Sequence, residues 1–146
     1  MDDVTISERL PAAAEYIDLR MRLGWGAIGE ATAERTIQSA AFTISLRRHD
    51  RLLGIARVMG DGALFFFLAD LIVALELRGG GYGDRLMEAV TAYFDRNAKP
   101  GATIALIPLS GRESFYERFG FLRCPSGHFG PGMPYAAAPP PIIHPR

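Results

Sequence analysis

The sequence has little of several features that mark other classes of protein. Its single cysteine, Cys124, cannot form an internal disulfide, and this fits a reducing compartment. Its 16 basic residues balance 16 acidic ones, so the chain lacks the charge excess of a broad nucleic-acid or anionic-membrane surface. The longest apolar run, residues 63–75, is interrupted by Asp70 and is shorter than the ~20 residues that a membrane-spanning helix needs.

The sequence also lacks a metal-binding pattern and a secretory signal. His49 and His128 stand apart from other ligand-type residues, at no metal-ligand spacing, so we expect no metal site. The N-terminal sequence MDDVTISERL is acidic and lacks the apolar core of a secretory signal. We therefore expect a cytoplasmic protein with no nucleic-acid partner and no membrane partner.

Length and composition predict one domain. The 146 residues, 49% of them apolar, are enough for a hydrophobic core without a disulfide or a metal. The composition changes from Cys124 onward, where seven of the ten prolines lie and charges are few. We expect a single domain over residues 1–135 and an extended, proline-rich tail over residues 136–146.

Hydrophobic periodicity predicts a mixed α/β fold. Alternation and helical spacing give the order strand, two helices, three strands, helix, strand, helix and strand, the last at residues 121–123. Residues 64–75 form an apolar run rich in aromatic and β-branched residues, typical of a strand buried on both faces. Because this run is long for a strand, we expect a bulge or bend within it. The order predicts an antiparallel meander that leads into one strand–helix–strand crossover.

A glycine-rich loop separates the long apolar strand from an amphipathic helix. Its sequence, RGGGYG at residues 78–83, allows positive φ angles and a close approach of the backbone to a ligand. The helix that follows offers unpaired N–H groups and a partial positive charge, which suit phosphate or pyrophosphate. A flexible turn without a ligand is the alternative. The loop does not match a P-loop, because Gly83 is followed by Asp84 and Arg85.

Two motifs about 33 residues apart resemble those of the GNAT N-acetyltransferase superfamily. The first is Arg78-x-x-Gly81-x-Gly83, similar to the acyl-CoA signature Gln/Arg-x-x-Gly-x-Gly/Ala of that family. The second is the run FYERFGF at residues 115–121, similar to the family's second conserved block. The resemblance implies a mixed α+β fold, with a central, mostly antiparallel twisted sheet of about six or seven strands and about four flanking helices.

The resemblance also implies that acetyl-CoA is the acyl donor and that a primary amine is the acceptor. In the family, the strand before the loop exposes backbone groups to the pantetheine arm, a role that falls here on Leu71, Ile72 and Val73. The loop wraps the pyrophosphate, and the start of the next helix contacts the pantetheine or a phosphate. The cofactor-binding residues implied beyond the strand are Arg78, Gly79, Gly80, Gly81, Tyr82, Gly83, Asp84, Ser110 and Arg112. A solvated helix charge is the alternative for Arg112.

Tyr116 and Asp70 are the candidates for catalysis. Tyr116 matches the family tyrosine that protonates the departing CoA thiolate, and a phenol with a pKa of ~10 keeps its proton at neutral pH. Packing in an aromatic cluster is the alternative for Tyr116. Asp70 is the only acid in the apolar strand, and a buried carboxylate has to be paired or functional. It would anchor the acceptor ammonium or relay its proton, or else be a structural aspartate near the bulge.

The sequence departs from the family at several points. It has Leu75 where many members have proline, and Gly80 where many have lysine or arginine near the phosphates. Asp84 adds a negative charge just past the loop, so we expect a modest affinity for CoA. Residues 67–69 are Phe, Leu and Ala where several relatives carry glutamate, and the general base is therefore not identified.

The acceptor site is expected near Trp25, with Phe65 and Phe66 as an apolar wall and Asp70 as the charge for a small amine. Trp25 as a core residue is the alternative. A protein N-terminus or lysine as acceptor would need an open groove instead. A third hypothesis is a CoA-binding regulatory module without catalysis, which the missing glutamate favours and Tyr116 opposes. The resemblance also leaves room for a homodimer, because many members pair through their C-terminal strands.

Overall fold

A five-stranded sheet forms the centre of the computed structural model, which describes residues 3–135. The strands are β1 (Val4–Ser7), β2 (Phe42–Arg48), β3 (Arg51–Gly60), β4 (Phe65–Val73) and β5 (Thr103–Leu106), and they lie in this order across the sheet. The pairs β1–β2, β2–β3 and β3–β4 are antiparallel, and the pair β4–β5 is parallel. The predicted tail at residues 136–146 lies outside the described residues.

The described residues also form four helices and one turn of 3-10 helix. α1 (Ala13–Arg22) and α2 (Glu30–Gln38) lie between β1 and β2, and the 3-10 turn (Leu75–Leu77) follows β4. α3 (Tyr82–Asn97) leads to β5, and α4 (Glu113–Glu117) comes after it. The predicted meander and its single crossover through α3 are confirmed. Among residues 3–135, no helix is long and apolar enough to cross a membrane.

The sheet is smaller than expected. In the described residues it has five strands and not six or seven, and the predicted strand at residues 121–123 does not form. The segment that follows, residues 124–134, contains three prolines and three glycines. Proline donates no ladder hydrogen bond, and glycine weakens a strand, so this segment forms an isolated bridge between Ser126 and Phe129 in place of a paired strand.

β4 contains the predicted bulge. Val58 of β3 pairs with Leu68, but Arg57, the preceding residue of β3, pairs with Asp70. Ala69 is therefore an extra residue in β4. Because side chains alternate between faces, this one-residue shift moves every later side chain of β4 to the opposite face of the sheet.

The bulge gives the two halves of β4 different neighbours. Before it, Phe66 packs against Tyr93 and Phe94 of α3, with ring centroids 5.8 and 5.7 Å away. After it, Asp70 accepts a hydrogen bond from Tyr16 of α1. We call these two sides of the sheet the α3 face and the α1 face.

The prediction that β4 is buried on both faces is wrong for its first half. Phe65 and Phe67 are 61% and 38% exposed, whereas Phe66 between them is buried. Arg57 lies on the α1 face, where it donates a hydrogen bond to Asp70. It also donates to the sulfur of Met59, so Met59 lies on the same face. Phe67 pairs with Met59. Paired residues share a face, so Phe65 and Phe67 form an exposed end of the α1 face.

The core lies on both sides of β2 and β3, which are buried along nearly their whole length. α3 contributes Leu86, Met87 and Val90 on one side, and α1 contributes Tyr16 and Leu19 on the other. Full burial of each such side chain is worth ~1.5–3 kcal/mol. This packing fixes the helix ends that border β4, where the candidate site lies.

Candidate active site

β4 and β5 separate beyond the bulge. Their pairing extends from Phe65 with Thr103 to Leu68 with Leu106, and β4 then continues to Val73 with no strand from residues 3–135 on that side. A strand edge without a partner presents its N–H and C=O groups to whatever occupies the space beside it. This open edge of β4 is therefore a place where an extended ligand can form backbone hydrogen bonds.

Leu71 and Val73 supply the backbone groups of the open edge. Successive pairs in an antiparallel ladder alternate between hydrogen-bonded and non-hydrogen-bonded. The amide of Ala74 donates to the carbonyl of Leu53 at 2.8 Å, so the N–H and C=O of Ile72 also face β3, and those of Leu71 and Val73 face away from it. Of the three residues predicted to meet the pantetheine arm, Ile72 is instead a buried core residue.

The glycine loop follows the open edge and leads into α3. Gly79 and Gly81 have φ angles of +81° and +80°, which residues with a side chain rarely adopt, and Gly81 is the N-cap of α3. A Cβ at Gly80 would lie 2.8 Å from the ring of Tyr82, so this position also favours glycine. The N–H groups in the first turn of α3 have no acceptor within the helix, and the helix dipole favours an anion there.

The first turn of α3 also packs against α4. A Cβ at Gly83 would lie 3.4 Å from Cζ of Phe115, so the missing side chain lets α4 approach α3 closely. Asp84 and Arg118 form an ion pair between the same two helices, with Oδ1–Nη2 and Oδ2–Nη1 distances of 2.5 and 3.1 Å. The Arg118 guanidinium offsets the charge that Asp84 brings next to the loop, which weakens the reason for expecting a modest affinity for CoA.

Tyr116 lies in α4 within an aromatic cluster. Its ring meets Phe115 and Phe121 edge-on, with centroid distances of 5.1 and 6.3 Å. Burial raises the pKa of the Tyr116 phenol above its usual value, and the Arg112 guanidinium offsets part of that rise. The hydroxyl therefore keeps its proton at neutral pH and can act as a donor.

The residues before α4 lie at the surface. Ser110 and Arg112 are both exposed, and the amide of Arg112 donates to the carbonyl of Leu109 at 2.9 Å, which closes a turn. Arg112 is the N-cap of α4, so the helix begins after Ser110 and Ser110 lies in the turn before it. The extra turn between Ser110 and the helix follows from Gly111, whose φ angle is +88°.

Asp70 is buried, with 5% of its surface exposed, and it is paired. Its Oδ2 accepts hydrogen bonds from the Tyr16 hydroxyl at 2.5 Å and from Arg57 Nε at 2.8 Å. The sequence predicted that this carboxylate is paired or functional, and pairing is present. Its partners are 54 and 13 residues away along the chain, and no sequence pattern identified them.

The predicted acceptor residues do not form one wall. Trp25 is half-buried between α1 and α2, and its indole ring lies 5.6 Å from the guanidinium of Arg20. Phe65 is exposed on the α1 face, but Phe66 packs into the core on the α3 face. Phe67, which sequence reasoning did not assign to the acceptor site, shares the face of Phe65. Strand alternation would have identified it if the bulge could be located from the sequence.

Comparison with known proteins gives consistent matches over most of the chain. The family model described as "Acetyltransferase (GNAT) domain" matches residues 25–134. A protein of unknown function from meticillin-resistant Staphylococcus aureus, described as a probable acetyltransferase, is 29% identical, with a TM-score of 0.80 over 90% of this chain and 99% of that chain.

Two further solved structures agree with these matches. A protein from Xanthomonas campestris pv. campestris, assigned to the GNAT acetyltransferases, is 29% identical, with a TM-score of 0.69 over 84% of this chain and 86% of that chain. A GNAT-family protein from Streptococcus pneumoniae, 22% identical, shares the fold with a TM-score of 0.69 over 82% of this chain and 88% of that chain. None of the curated proteins compared with the chain matches it.

Proposed function

Because the chain belongs to the GNAT acetyltransferase family, we propose that it transfers an acetyl group from acetyl-CoA to the primary amine of a small molecule, by direct attack in a ternary complex. The observation that carries this proposal is that the open edge of β4 leads directly into the glycine loop. Leu71 and Val73 offer N–H and C=O groups to the amides of a pantetheine arm. The first turn of α3 offers N–H groups to a pyrophosphate.

The other cofactor-binding residues act around these backbone groups. Arg78, whose Nε and Nη2 lie 3.4 Å from the carbonyl of Val73, brings positive charge to the junction of the open edge and the loop. Asp84 holds α4 against the loop through Arg118. The set proposed to surround the CoA phosphates and the pantetheine is Arg78, Gly79, Gly80, Gly81, Tyr82, Gly83, Ser110 and Arg112.

The bound donor supplies a thioester whose carbonyl carbon the amine attacks, so that a C–N bond forms, the C–S bond breaks and CoA leaves as a thiolate. An N–H at the open edge of β4 would donate to the carbonyl oxygen as negative charge develops on it. Tyr116 would give its phenolic proton to the thiolate sulfur and regain one from solvent. The acceptor ammonium has to lose a proton before it attacks, and its nitrogen loses a second proton as the amide forms. In this proposal both protons pass to solvent.

A protein N-terminus or lysine is the second candidate acceptor. Phe65 and Phe67 favour it, because their exposed rings on the α1 face would pack against the side chains of a bound peptide. Asp70 does not favour a cationic small molecule as much as the sequence indicated, since Arg57 and Tyr16 already satisfy one of its oxygens.

Calorimetric titration tests the donor site without knowledge of the acceptor. We expect saturable binding of acetyl-CoA at one site per chain, and weaker binding of acetyl-pantetheine and of adenosine 3′,5′-bisphosphate, since each offers only part of the contacts. Equal affinity for acetyl-CoA and for the bisphosphate would show that the open edge of β4 contributes nothing. No binding of acetyl-CoA would contradict the proposed function.

A further inference from the structure

Three buried side chains form a cluster directly after the β4 bulge. Asp70 accepts hydrogen bonds from Tyr16 and Arg57, and these three residues are 5%, 1% and 6% exposed. Arg57 also donates to the carbonyl of Thr36 in α2 at 3.2 Å. The cluster, which we call the Asp70 cluster, therefore ties β4 to β3, α1 and α2 at one point.

The protonation states of the Asp70 cluster suit this pairing. Burial raises the pKa of the Tyr16 phenol, and the charge of Asp70 raises it further, so Tyr16 stays a hydrogen-bond donor. Burial works against the charge of Arg57, but Asp70 and Tyr16 together hold its pKa above the usual value. A buried ion pair of this kind is stable when additional hydrogen bonds satisfy its atoms, which is the part that Tyr16 plays.

The presence of the bulge decides which amides of β4 face the open edge. Before the bulge, Thr103 of β5 donates to the carbonyl of Leu64, so residues of even number face β5. After it, Leu71 and Val73, which have odd numbers, face that side. Ala69 is the residue at which the alternation changes. Without the bulge, the register of the first half of β4 would continue, so that Leu71 would pair with Ile55 and its N–H would face β3 and not the open edge.

The Asp70 cluster also reaches the connection between α1 and α2. Two guanidinium groups lie over the Tyr16 ring, with the Cζ atoms of Arg57 and Arg20 5.8 and 5.7 Å from the ring centroid. Arg20 in turn lies against the Trp25 ring and donates from Nη2 to the Trp25 carbonyl at 3.2 Å. The same side chains thus connect the bulge with the segment where the acceptor is expected.

We propose that the Asp70 cluster is a positioning device, in which Tyr16 and Arg57 hold Asp70 in its pairing with β3, so that the bulge before it is kept and the N–H of Leu71 points at the thioester carbonyl. This inference rests on the proposed function. It assigns Asp70 a part in the reaction that does not require contact with the amine. The small exposed fraction of Asp70 and the two hydrogen bonds on one of its oxygens agree with that part.

The carbonyl of bound acetyl-CoA reports on this positioning directly. A hydrogen bond to the thioester oxygen lowers its infrared stretching frequency and moves the resonance of a ¹³C label at that carbon downfield. With [1-¹³C]acetyl-CoA we expect both shifts in the unmodified protein. In Asp70→Asn and in Tyr16→Phe we expect most of each shift to disappear, and kcat to fall about 10- to 100-fold. The Kd for CoA, which lacks the carbonyl, should change less than about twofold, because the loop and the rest of the open edge remain.

Glu15→Gln is the matched control. Arg47 and Glu15 form another pair between the sheet and α1, with N–O distances of 2.8 and 2.9 Å. Arg47 pairs with Leu52 in the β2–β3 ladder, at the other end of β3 from Gly60. Loss of this pair should lower the melting temperature and leave both carbonyl shifts and kcat unchanged.

Two results would overturn the inference. If Asp70→Asn and Tyr16→Phe keep the carbonyl shifts and kcat while the melting temperature falls, the cluster is structural only. If the KM for the amine alone rises, Asp70 contacts the acceptor instead. If Asp70→Asn does not fold, Tyr16→Phe, which removes one hydroxyl, decides between the same outcomes. Failure of the unmodified protein to bind acetyl-CoA is a separate result, and it would contradict the proposed function itself.

Discussion

Tyr116 shows how burial can prepare a single side chain for proton transfer. The aromatic neighbours that would also explain it as a packing residue raise its pKa, and so keep the proton that the leaving thiolate needs. Packing and catalysis are therefore not exclusive for this residue. The ring of Tyr116 alone accounts for the packing, whereas proton transfer requires its hydroxyl.

Tyr116→Phe should lower kcat about 10²- to 10⁴-fold, because the general acid is lost while the ring remains. The KM for acetyl-CoA should stay nearly the same, since the hydroxyl acts in the transition state and not in the ground state. Steady-state kinetics checks this prediction. Tyr93→Phe, in the core of α3, is the control and should leave kcat unchanged. A Tyr116→Phe enzyme within about twofold of the unmodified one would return Tyr116 to the packing interpretation.

Glu15 provides the clearest pH dependence of stability at this scale. Its hydrogen bonds with Arg47 lower the pKa of the Glu15 carboxyl from 4.5 to about 2. A lowered pKa in the folded state stabilises the protein above the unfolded value, and this contribution is lost as the pH falls from about 4.5 toward 2. Glu15→Gln should therefore cost about 1–2 kcal/mol at neutral pH, less than the full shift implies because the carboxyl is partly exposed.

Urea unfolding at a series of pH values measures this difference. The free energy of unfolding of the unmodified protein should approach that of Glu15→Gln as the pH falls, so that the two curves converge in acid. Glu34→Gln, an exposed position on α2, should show no such convergence. A constant gap between the Glu15→Gln curve and the unmodified one at all pH values would refute the assignment.

At the scale of secondary-structure elements, the proposed donor site depends on the glycine loop and on the open edge of β4. The sequence predicted the first of these more completely than the second. The glycine loop and the helix after it are local, and residues 78–83 were sufficient to predict both. The open edge of β4 depends on where β5 stops pairing, and it depends on the bulge at Ala69. The sequence predicted that a bulge exists but not its position, so Phe66 was expected in the acceptor site and Phe67 was not.

Gly81→Glu should abolish binding of acetyl-CoA. It places a negative side chain at the N-cap of α3, where a phosphate is proposed, and it forces a residue with a side chain to a φ angle of +80°. Calorimetric titration measures the loss. Gly101→Glu is a matched control, because Gly101 has a φ angle of +87° and, like Gly81, open space where the Cβ would lie. It should lose similar stability and still bind acetyl-CoA, and equal loss of binding in both variants would remove the loop from the donor site.

At the scale of the whole molecule, the residues proposed for the donor and those proposed for the acceptor lie in different places relative to the sheet. The loop and α4 border the start of α3, and Trp25, Phe65 and Phe67 lie on the α1 face or in the chain beside it. The element order as far as α4, the crossover and the family resemblance were predicted from sequence and are confirmed, whereas the last predicted strand is not. The pairing of Asp70 was not, because Tyr16 lies 54 residues away and only the folded chain brings it near.

The decisive measurement is the release of free CoA thiol from acetyl-CoA in the presence of small primary amines and of peptides. We expect release with small amines, in step with the acetylated amine detected by mass spectrometry, and loss of that release in Gly81→Glu and Tyr116→Phe. Release with peptides and not with small amines would show that the acceptor is a protein N-terminus or lysine, the second candidate. Binding of acetyl-CoA with no release for any amine or peptide would contradict the assignment as an acetyltransferase.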